Sequence, residues 1–171
     1  RDYLRNLKSA CIAYSGGVDS ALVAAITYEQ LKEKATAITG VSPALAIHLL
    51  EEARMQAKWI GINHIEITTN ELKDSSYSSN PKDRCFACKK ELHKQTSYIS
   101  EKFNYKNILD GVNFDDLSDY RPGIEASQQA GVLSPLALFK FSKKDIRDIS
   151  KSLGFPWWDK PAQPCLSSRF P

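Results

Sequence analysis

The chain has 171 residues, of which 42% are hydrophobic and 25% charged, and its formal net charge is +3. This size and balance are those of an ordinary globular protein with one core. The sequence lacks the long apolar run of a membrane span and an opening export signal, so we expect a cytoplasmic protein with no membrane partner. The small positive charge permits an anionic partner, and a nucleotide satisfies it as well as nucleic acid does.

Apolar runs and helical patterns alternate along the chain. The predicted strands and helices are, in order, strand 9–15, helix 18–34, strand 35–41, a helix with Pro43 in its first turn and an apolar face from Ala46 to Ile60, strand 62–68, helix 85–103, strand 107–112, strand 131–136 and a helix that follows Ser142. A polar loop is predicted at 70–84, because that segment is rich in Ser, Asn and Asp.

The last helix has recognisable ends. Ser142 is predicted to be its N-cap, with Asp145 three residues on, and Gly154 is predicted to end it. The alternation of strand and helix predicts an α/β fold with a five-stranded, mostly parallel sheet and helices on both faces. Ligands of such folds bind at the carboxyl ends of the strands.

The stretch YSGGVDSA lies between the first predicted strand and the first predicted helix. Gly16 and Gly17 allow a tight turn whose amides, with the helix N-terminus, face an anion. Ser15 and Ser20 add hydroxyl donors. The loop is neither the Walker sequence, because it has no lysine, nor G-x-G-x-x-G. The alternative is a plain glycine turn with Asp19 placed in the first helical turn by the helix dipole.

S-G-G-x-D-S after the first strand resembles the PP-loop of the ATP pyrophosphatases, which attach AMP to a substrate oxygen and release pyrophosphate. The resemblance implies that Ser15, Gly16, Gly17, Asp19 and Ser20 bind ATP. It also implies that Asp19 helps to hold Mg²⁺, whose preference for oxygen ligands suits a carboxylate.

A second polar cluster, in DGVNFDDLSDYRPG, follows the fourth predicted strand. It contains Asn113, Asp115, Asp116 and Asp119, with Arg121 close by. An Asx-rich turn is the alternative interpretation. Since the end of this strand should face the same cleft as the loop, we favour a site that handles metal and pyrophosphate.

Three of the four cysteines lie in the first 88 residues. Cys11 lies inside a predicted strand and is expected in the core. Cys85 and Cys88 form a C-x-x-C pair, which is typical of half a zinc site, of a redox pair or of two iron–sulfur ligands. Two small residues at a helix N-terminus are the alternative. Structural disulfides are not expected in a chain without an export signal.

The fourth cysteine, Cys165, lies in KPAQPCLSSRFP, a setting unlike a packed core. His93 has the wrong spacing to complete a paired zinc motif, and His48 and His64 fall in helix and strand patterns. The C-x-x-C pair and Cys165 therefore form the natural metal-binding set, although spacing alone does not show that they meet.

Nearly the whole sequence resembles the LarE family of ATP-dependent sulfur transferases, which help to build the nickel-pincer nucleotide cofactor of lactate racemase. The resemblance rests on motifs in the same order: SGGVDSALVA, TGVSP, EEARMQAKWIGINH, RCFACK, DGVNFDDLSDYRPG, SPL and KPAQPCLSSR. It implies that ATP adenylates a carboxylate of pyridinium-3,5-biscarboxylate mononucleotide and that sulfur then replaces AMP. It identifies Cys165 as the catalytic residue, whose own sulfur is surrendered in single-cysteine members.

The additional cysteine pair resembles the three-cysteine members of this group. That resemblance implies a 4Fe-4S cluster held by Cys85, Cys88 and Cys165, whose open fourth iron carries the sulfide to be transferred. Asn113 is expected to join the ATP site. Arg121, Ser168 and Arg169 are expected to bind the anionic groups of the substrate.

The resemblance also predicts the domain organisation. Residues 1–160 are expected to form the PP-loop domain, and 161–171 the start of a region for substrate binding and sulfur transfer that continues beyond this chain. We expect a homo-oligomer and no nucleic-acid partner.

Three rival functions follow from the same motifs. A tRNA thiolase also combines a PP-loop with three cysteines, but it needs a broad basic surface, and the lysines here are balanced by acids. An ammonia-using ligase leaves the cysteines without a role. A non-catalytic nucleotide-binding module with structural zinc predicts ATP binding without turnover.

Overall fold

A computed structural model of the chain describes residues 1–70, 84–118 and 121–163. Its strands are β1 (Ala10–Ala13), β2 (Ala35–Val41), β3 (Asn63–Thr68) and β4 (Asn107–Leu109). Its helices are α1 (Asp2–Asn6), α2 (Val18–Leu31), α3 (Ile47–Ile60), α4 (Arg84–Lys102), α5 (Pro122–Gln129), α6 (Pro135–Leu138) and α7 (Lys143–Ser152). Short 3₁₀ turns lie at Lys32–Lys34 and Asp115–Ser118.

The strands form one parallel sheet in the order β3-β2-β1-β4. Ala10 at the start of β1 lies between Ala35 of β2 and Asn107 of β4. The chain moves outward from β1 to β3 and then returns to the other side of β1. The carboxyl end of β1 is therefore a topological switch point, where parallel α/β sheets bind their ligands.

The prediction of a fifth strand at 131–136 is wrong, and the sheet of the described residues has four strands. Leu133 makes only an isolated parallel bridge to Leu109. Pro135 then starts helix α6, where its missing N–H costs nothing and its fixed φ suits the first turn. The segment 131–136 therefore touches β4 through one bridging residue before the chain turns into α6.

Strand and helix ends differ from the prediction where the chain turns toward the cleft. The first and fourth strands were predicted at 9–15 and 107–112, but they end at Ala13 and Leu109. Pro43 was predicted in the first turn of a helix, but α3 begins at Ile47 after an extended Ala46. The predicted loop at 70–84 lies mostly outside the described residues.

The sheet has helices on both faces, as predicted. Ile12 points to one face and packs in a core that includes residues of α2, α3 and α7. Its neighbour Cys11 points to the other face, where it packs with Ile38 and Leu92 of α4. This alternation follows from the two-residue period of a strand. Cys11 is fully buried, which confirms its predicted place in the core, and burial raises the pKa of its thiol to about 11.

The predicted ends of α7 are also confirmed. The Ser142 hydroxyl accepts a hydrogen bond from the Asp145 amide, and the Asp145 carboxylate accepts one from the Ser142 amide. Gly154 has a φ of +76° just after the helix, in the left-handed region that favours glycine. In the part of the chain that is described, we find no helix with the length and apolar character needed to cross a membrane.

Candidate active site

The loop from Ser15 to Ser20 follows β1 and leads into α2. Gly17 is the N-cap of α2, and the hydroxyls of Ser15 and Ser20 lie 3.1 Å apart. The Ser20 hydroxyl also lies 3.2 Å from the Ser15 amide nitrogen and from the Gly17 carbonyl. These contacts hold the turn closed at the positive end of the α2 dipole. The loop thus has the arrangement that favours an anionic ligand.

The base of the loop is fixed to β2 and α3. The Thr39 hydroxyl donates to the Tyr14 carbonyl at 2.8 Å, and the buried Tyr14 hydroxyl lies 3.1 Å from Gln56 Oε1. Gly16 has a φ of +69°, and a Cβ there would lie only 3.0 Å from Cβ of Ala53. Gly16 is required both for the turn and for this close approach to α3.

Lys143, at the start of α7, contacts the aspartate of the loop. Its Nζ lies 2.8 and 2.6 Å from the two carboxylate oxygens of Asp19. Burial raises the pKa of the Asp19 carboxyl above its ordinary value, while the hydrogen bond and charge of Lys143 oppose that shift. The backbone amide of Lys143 donates to Asp115 at 2.8 Å, which fixes the start of α7 beside the turn at Asp115–Ser118.

The end of β4 meets the start of α2. A Cβ on Gly111 would lie 2.7 Å from the Ser20 amide nitrogen, so no larger residue fits without movement. Its neighbour Asp110 is buried, and Oδ1 accepts from the Ser134 hydroxyl at 2.7 Å and from the Val112 amide at 3.2 Å. Oδ2 of Asp110 has no hydrogen-bond partner among the described residues. Asp110 therefore brings a buried, unsatisfied carboxylate oxygen to the cleft wall.

The polar cluster after β4 is locally organised. Asn113 and Asp116 exchange side-chain to backbone hydrogen bonds, each at 3.1 Å, around the turn at Asp115–Ser118. Asp116 also forms a 2.7 Å ion pair with Arg121. Asp116 and Arg121 line the cleft, whereas the buried Asn113 supports the turn that carries Asp116. The predicted Asp119 lies outside the described residues.

The C-x-x-C pair lies near the beginning of α4. Cys85 is exposed and Cys88 is half-buried. Both line the same cleft as the loop from Ser15 to Ser20, which we call the phosphate loop. Lys89 and Leu92 line this cleft too. Among the residues that the structure describes, no three Cys, His, Asp or Glu side chains are grouped to hold a metal. Cys165, Ser168 and Arg169 lie outside those residues, so their predicted roles stay predictions.

None of the three histidines is among the residues that line this cleft. His93 is buried, and its Nε2 lies 2.8 Å from the Ser127 hydroxyl, which in turn donates to Gly123. Burial lowers the pKa of His93 to about 4. His64 contacts Thr39 at 2.8 Å, and His48 is exposed on α3.

These elements enclose a cleft with a volume of about 560 Å³ at the switch point of the sheet. The predicted residues that line it are Ser15, Gly17, Asp19, Ser20, Cys85, Cys88, Asp116 and Arg121. The volume falls within the range of small-molecule sites. The cleft joins an anion-binding loop, several carboxylates and two thiols on one surface.

Three residues of this region were absent from the predicted site: Asp110, Lys143 and Lys160. Asp110 had a usable signal, since an acidic residue directly after a buried strand next to β1 falls at the carboxyl edge of the sheet. Lys143 and Lys160 had none, because each is brought to the loop from more than a hundred residues away by tertiary packing.

No family model matches the chain. The whole chain is 53% identical to an uncharacterized protein of Synechocystis sp., covering 64% of that protein. It is 32% identical over 169 residues to the pyridinium-3,5-bisthiocarboxylic acid mononucleotide synthase of Lactiplantibacillus plantarum, covering 98% of this chain and 61% of the synthase. The chain thus spans less than two thirds of the length of either relative.

Solved structures share the fold at low sequence identity. The NMN synthetase from Francisella tularensis matches 95% of this chain and 73% of its own with a TM-score of 0.73 at 18% identity. The NH3-dependent NAD synthetase from Campylobacter jejuni matches 91% of this chain and 71% of its own with a TM-score of 0.66 at 15% identity. The chain therefore has the fold of these synthetases, and its similarity to the Lactiplantibacillus synthase extends over nearly all of the chain.

Proposed function

We propose that this chain is the ATP-using part of a sulfur transferase. It adenylates a carboxylate of pyridinium-3,5-biscarboxylate mononucleotide and converts that group to a thiocarboxylate. The observation that carries the proposal is that the phosphate loop and the thiols of Cys85 and Cys88 line one cleft. A ligase that uses ammonia has no chemical need for two thiols beside its nucleotide.

The cleft offers distinct surfaces to the two ends of ATP. The loop amides and the hydroxyls of Ser15 and Ser20 suit the phosphates. Beyond the end of β2, Ala44, Leu45 and Leu49 give an apolar wall suited to the adenine ring. We propose that the nucleotide lies across the carboxyl ends of β2 and β1, with its triphosphate directed toward β4.

The residues near β4 fit Mg²⁺, which prefers carboxylate oxygens and water. The buried Oδ2 of Asp110 lacks a hydrogen-bond partner in the described structure, which is unfavourable unless a ligand satisfies it. Asp19 and Asp116 lie close enough for their charges to interact. We propose that Asp19 would hold the ion together with phosphate oxygens and water, while Asp110 and Asp116 would add negative charge along the same cleft. The ion would supply charge neutralisation at the phosphates.

The first step forms the acyl adenylate. A carboxylate oxygen of the substrate attacks the α-phosphorus, the bond to the β-phosphate oxygen breaks, and pyrophosphate leaves. The developing negative charge needs fixed positive groups in a site from which water is excluded. Arg121 at the cleft and Lys143 beside Asp19 are placed to supply such charge.

The second step exchanges oxygen for sulfur. A sulfide or the Cys165 thiolate attacks the carbonyl carbon of the acyl adenylate, and AMP leaves with the electron pair of the broken C–O bond. Cys165 is five residues past Lys160, so covalent geometry limits their separation to about 17 Å. That reach is compatible with delivery of Cys165 to the cleft.

Two sources of sulfur fit this step. In the sacrificial route, the thioester of Cys165 loses its Cα proton and its Cβ–S bond breaks, which leaves thiocarboxylate and dehydroalanine. In the other route, Cys85, Cys88 and Cys165 hold a 4Fe-4S cluster that supplies a labile sulfide. The exposure of Cys85 and the shared cleft fit two of these three ligands. We favour the cluster route, and we also propose that the protein assembles as a homo-oligomer in the cytoplasm.

The test measures three products from the intact protein with ATP, Mg²⁺ and pyridinium-3,5-biscarboxylate mononucleotide under anaerobic conditions. We expect pyrophosphate, AMP and a substrate that has exchanged one oxygen for sulfur. Release of pyrophosphate that depends instead on tRNA would overturn the proposal in favour of a thiolase. An amide formed from ammonia would favour a ligase, and ATP binding without any turnover would favour a non-catalytic module.

A further inference from the structure

Lys160 contacts the phosphate loop from the side of α3. Its Nζ lies 3.3 Å from the carbonyl oxygen of Gly16 and forms an ion pair with Glu52 of α3. The Lys160 side chain is only 15% exposed, which is unusual for lysine. Gly17 lines the cleft, whereas Gly16 and Lys160 are not among its lining residues. The ammonium group therefore binds the loop from behind, outside the cleft.

Lys160 is held in this place at both its backbone and its side chain. The Lys160 amide donates to the Trp157 carbonyl at 3.0 Å. Trp157 packs against Trp59 of α3 and against Phe155, with ring centroids 5.3 and 5.2 Å apart. Aromatic packing thus fixes the backbone before Lys160 on α3, and Glu52 holds the ammonium group. The cation at the Gly16 carbonyl is a fixed part of the fold.

The carbonyl that Lys160 binds belongs to the same peptide unit as the Gly17 amide. The C=O and N–H groups of a trans peptide point in opposite directions. Because Lys160 holds the Gly16 carbonyl on the side of α3, the Gly17 N–H points to the other side, toward the Ser15 hydroxyl, which lines the cleft. Its nitrogen lies 3.4 Å from that hydroxyl oxygen, a long distance for a hydrogen bond. The N–H is therefore available to an anion.

A peptide between two glycines can also adopt the reverse orientation. Neither residue has a Cβ, so rotation of the Gly16–Gly17 peptide has a small steric cost. The rotated peptide would direct the Gly16 carbonyl oxygen toward the phosphates, which its partial negative charge repels, and would remove one N–H donor from the loop. A cation behind the loop stabilises only the orientation in which the carbonyl faces α3.

We propose that Lys160 is a positioning residue for the nucleotide, which holds the Gly16–Gly17 peptide so that the Gly17 N–H binds a phosphate of ATP. The inference rests on the proposed binding of ATP by this loop and deepens it. Lys160 acts through Gly16 and does not itself touch the nucleotide. Glu52 keeps the ammonium group against the Gly16 carbonyl, so the ion pair supports phosphate binding and does not compete with it.

The test measures the Kd for ATP, for inorganic pyrophosphate and for adenosine, each with Mg²⁺, by calorimetry on the intact protein. Lys160→Met should raise the first two about tenfold, the effect of one weakened hydrogen bond to a charged group. The Kd for adenosine should not change, because adenosine has no phosphate. Lys160→Arg should keep part of the affinity, since a guanidinium can donate to the same carbonyl. Exposed Lys34→Met is the matched control and should bind as the wild-type protein does.

Glu52→Gln separates a positioning role from direct contact with the phosphates. If Lys160 acts through Gly16, loss of the Glu52 charge loosens the ammonium group and weakens pyrophosphate binding, though less than Lys160→Met does. If Lys160 instead binds the phosphates itself, Glu52→Gln releases a competing anion and pyrophosphate binds more tightly. That tightening would overturn the proposal. Glu52→Gln also keeps the test available if Lys160→Met does not fold.

The Gly17 amide gives a direct readout of the peptide. In ¹⁵N-labelled wild-type protein, its NMR signal should move downfield when pyrophosphate is added, and this change should be much smaller in Lys160→Met. An unchanged Kd for pyrophosphate in Lys160→Met, or equal losses of adenosine and pyrophosphate binding, would overturn the positioning role. A wild-type protein that binds pyrophosphate but transfers no sulfur contradicts the proposed function alone, and one that binds no pyrophosphate contradicts both proposals.

Discussion

Lys143 and Asp19 form a bidentate ion pair across 124 residues of sequence, with Nζ 2.6 and 2.8 Å from the carboxylate oxygens. Neither side chain is fully exposed, since Lys143 is 30% and Asp19 21% accessible. The pair places a lysine beside a phosphate loop that has no lysine of its own. If Mg²⁺ binds the Asp19 carboxylate, Lys143 loses its ion-pair partner. We then expect the Lys143 ammonium group to bind the phosphates of ATP.

The first prediction concerns this lysine. Lys143→Met should lower the rate of pyrophosphate release by about a hundredfold, because removal of one fixed stabilising group at a reacting centre typically has an effect of that size. The neighbouring Lys144→Met is the control, since Lys144 is 83% exposed and forms an ion pair with Asp148 on its own helix. Equal rates in the two variants would exclude a role for Lys143 in adenylation.

The same variant should also lower stability at neutral pH. Asp19 already has a raised pKa in the folded protein, so its favourable contribution is present when it is protonated and is lost as the pH rises through that pKa. Lys143→Met removes two influences that lower this pKa and makes the ionised form less favourable. The Tm at pH 7 should fall relative to Lys144→Met, and added Mg²⁺ should recover part of the difference.

A further prediction concerns the contact between β4 and α2. Gly111→Ala places a Cβ 2.7 Å from the Ser20 amide nitrogen, so the end of β4 must move away from the loop. We expect a loss of about 1–3 kcal/mol in the free energy of unfolding, as for other overpacked sites, and weaker ATP binding. Urea unfolding and ATP titration measure the two effects.

Gly17→Ala is the stability control for this substitution. A Cβ at Gly17 would lie 3.4 Å from the Ser15 hydroxyl, which is ordinary van der Waals contact, and Gly17 does not have a positive φ. Its free energy of unfolding should stay close to that of the wild-type protein. If both variants unfold at the same urea concentration, the close approach of Gly111 to α2 is not important for stability.

Much of this fold was predictable because local pattern and tertiary structure agree. The strand at 35–41 has the predicted bounds, and the Ser142 and Asp145 capping box forms as expected. Both depend on interactions within a few residues, so the sequence pattern contains them. The prediction of a strand at 131–136 was wrong because a short apolar run is compatible both with a strand and with a buried segment that only lies next to one. Pro135 instead begins a helix.

In the candidate site too, the local motifs were predictable from the sequence and the tertiary contacts were not. The phosphate loop and the C-x-x-C pair are local motifs, and their residues were predicted. The contacts of Lys143 with Asp19 and of Lys160 with Gly16 depend on how α7 and the turn after it pack against the loop. A lysine in a polar segment gives no sequence signal that distinguishes such a contact from a solvated surface charge.

His93 gives a prediction on acid sensitivity. Burial lowers its pKa from 6.5 to about 4, so the folded protein keeps His93 neutral where the unfolded chain binds a proton. Its contribution to stability is therefore present above pH 6.5 and is lost as the pH falls toward 4. By linkage, wild-type protein should lose about 2 kcal/mol between pH 7 and pH 5 from this group.

His93→Gln tests this contribution, because glutamine retains an N–H for the Ser127 hydroxyl but does not titrate. Its free energy of unfolding should fall less between the two pH values than that of the wild-type protein. Exposed His48→Gln is the control and should keep the wild-type dependence. An unaltered pH dependence in His93→Gln would mean that other groups cause the acid sensitivity.

The last prediction concerns what Cys85 and Cys88 bind. They lie on one helix and line the cleft, and the described residues provide no third ligand beside them. We expect the intact protein, purified without oxygen, to contain about four irons and at least as many acid-labile sulfides per chain. Cys85→Ala should lose the iron, whereas Cys11→Ala should retain it because Cys11 is buried on the sheet.

The metal content distinguishes the cluster route, the sacrificial route and a zinc site, because Cys165 has a different role in each. Iron that is lost in both Cys85→Ala and Cys165→Ala requires a shared cluster and allows repeated turnover from its labile sulfide. Without iron, the mass of the protein after turnover should show Cys165 short of one sulfur, which limits each chain to a single transfer. Zinc bound by Cys85 and Cys88 would contradict the cluster, since zinc carries no labile sulfide, and would leave Cys165 as the sulfur donor.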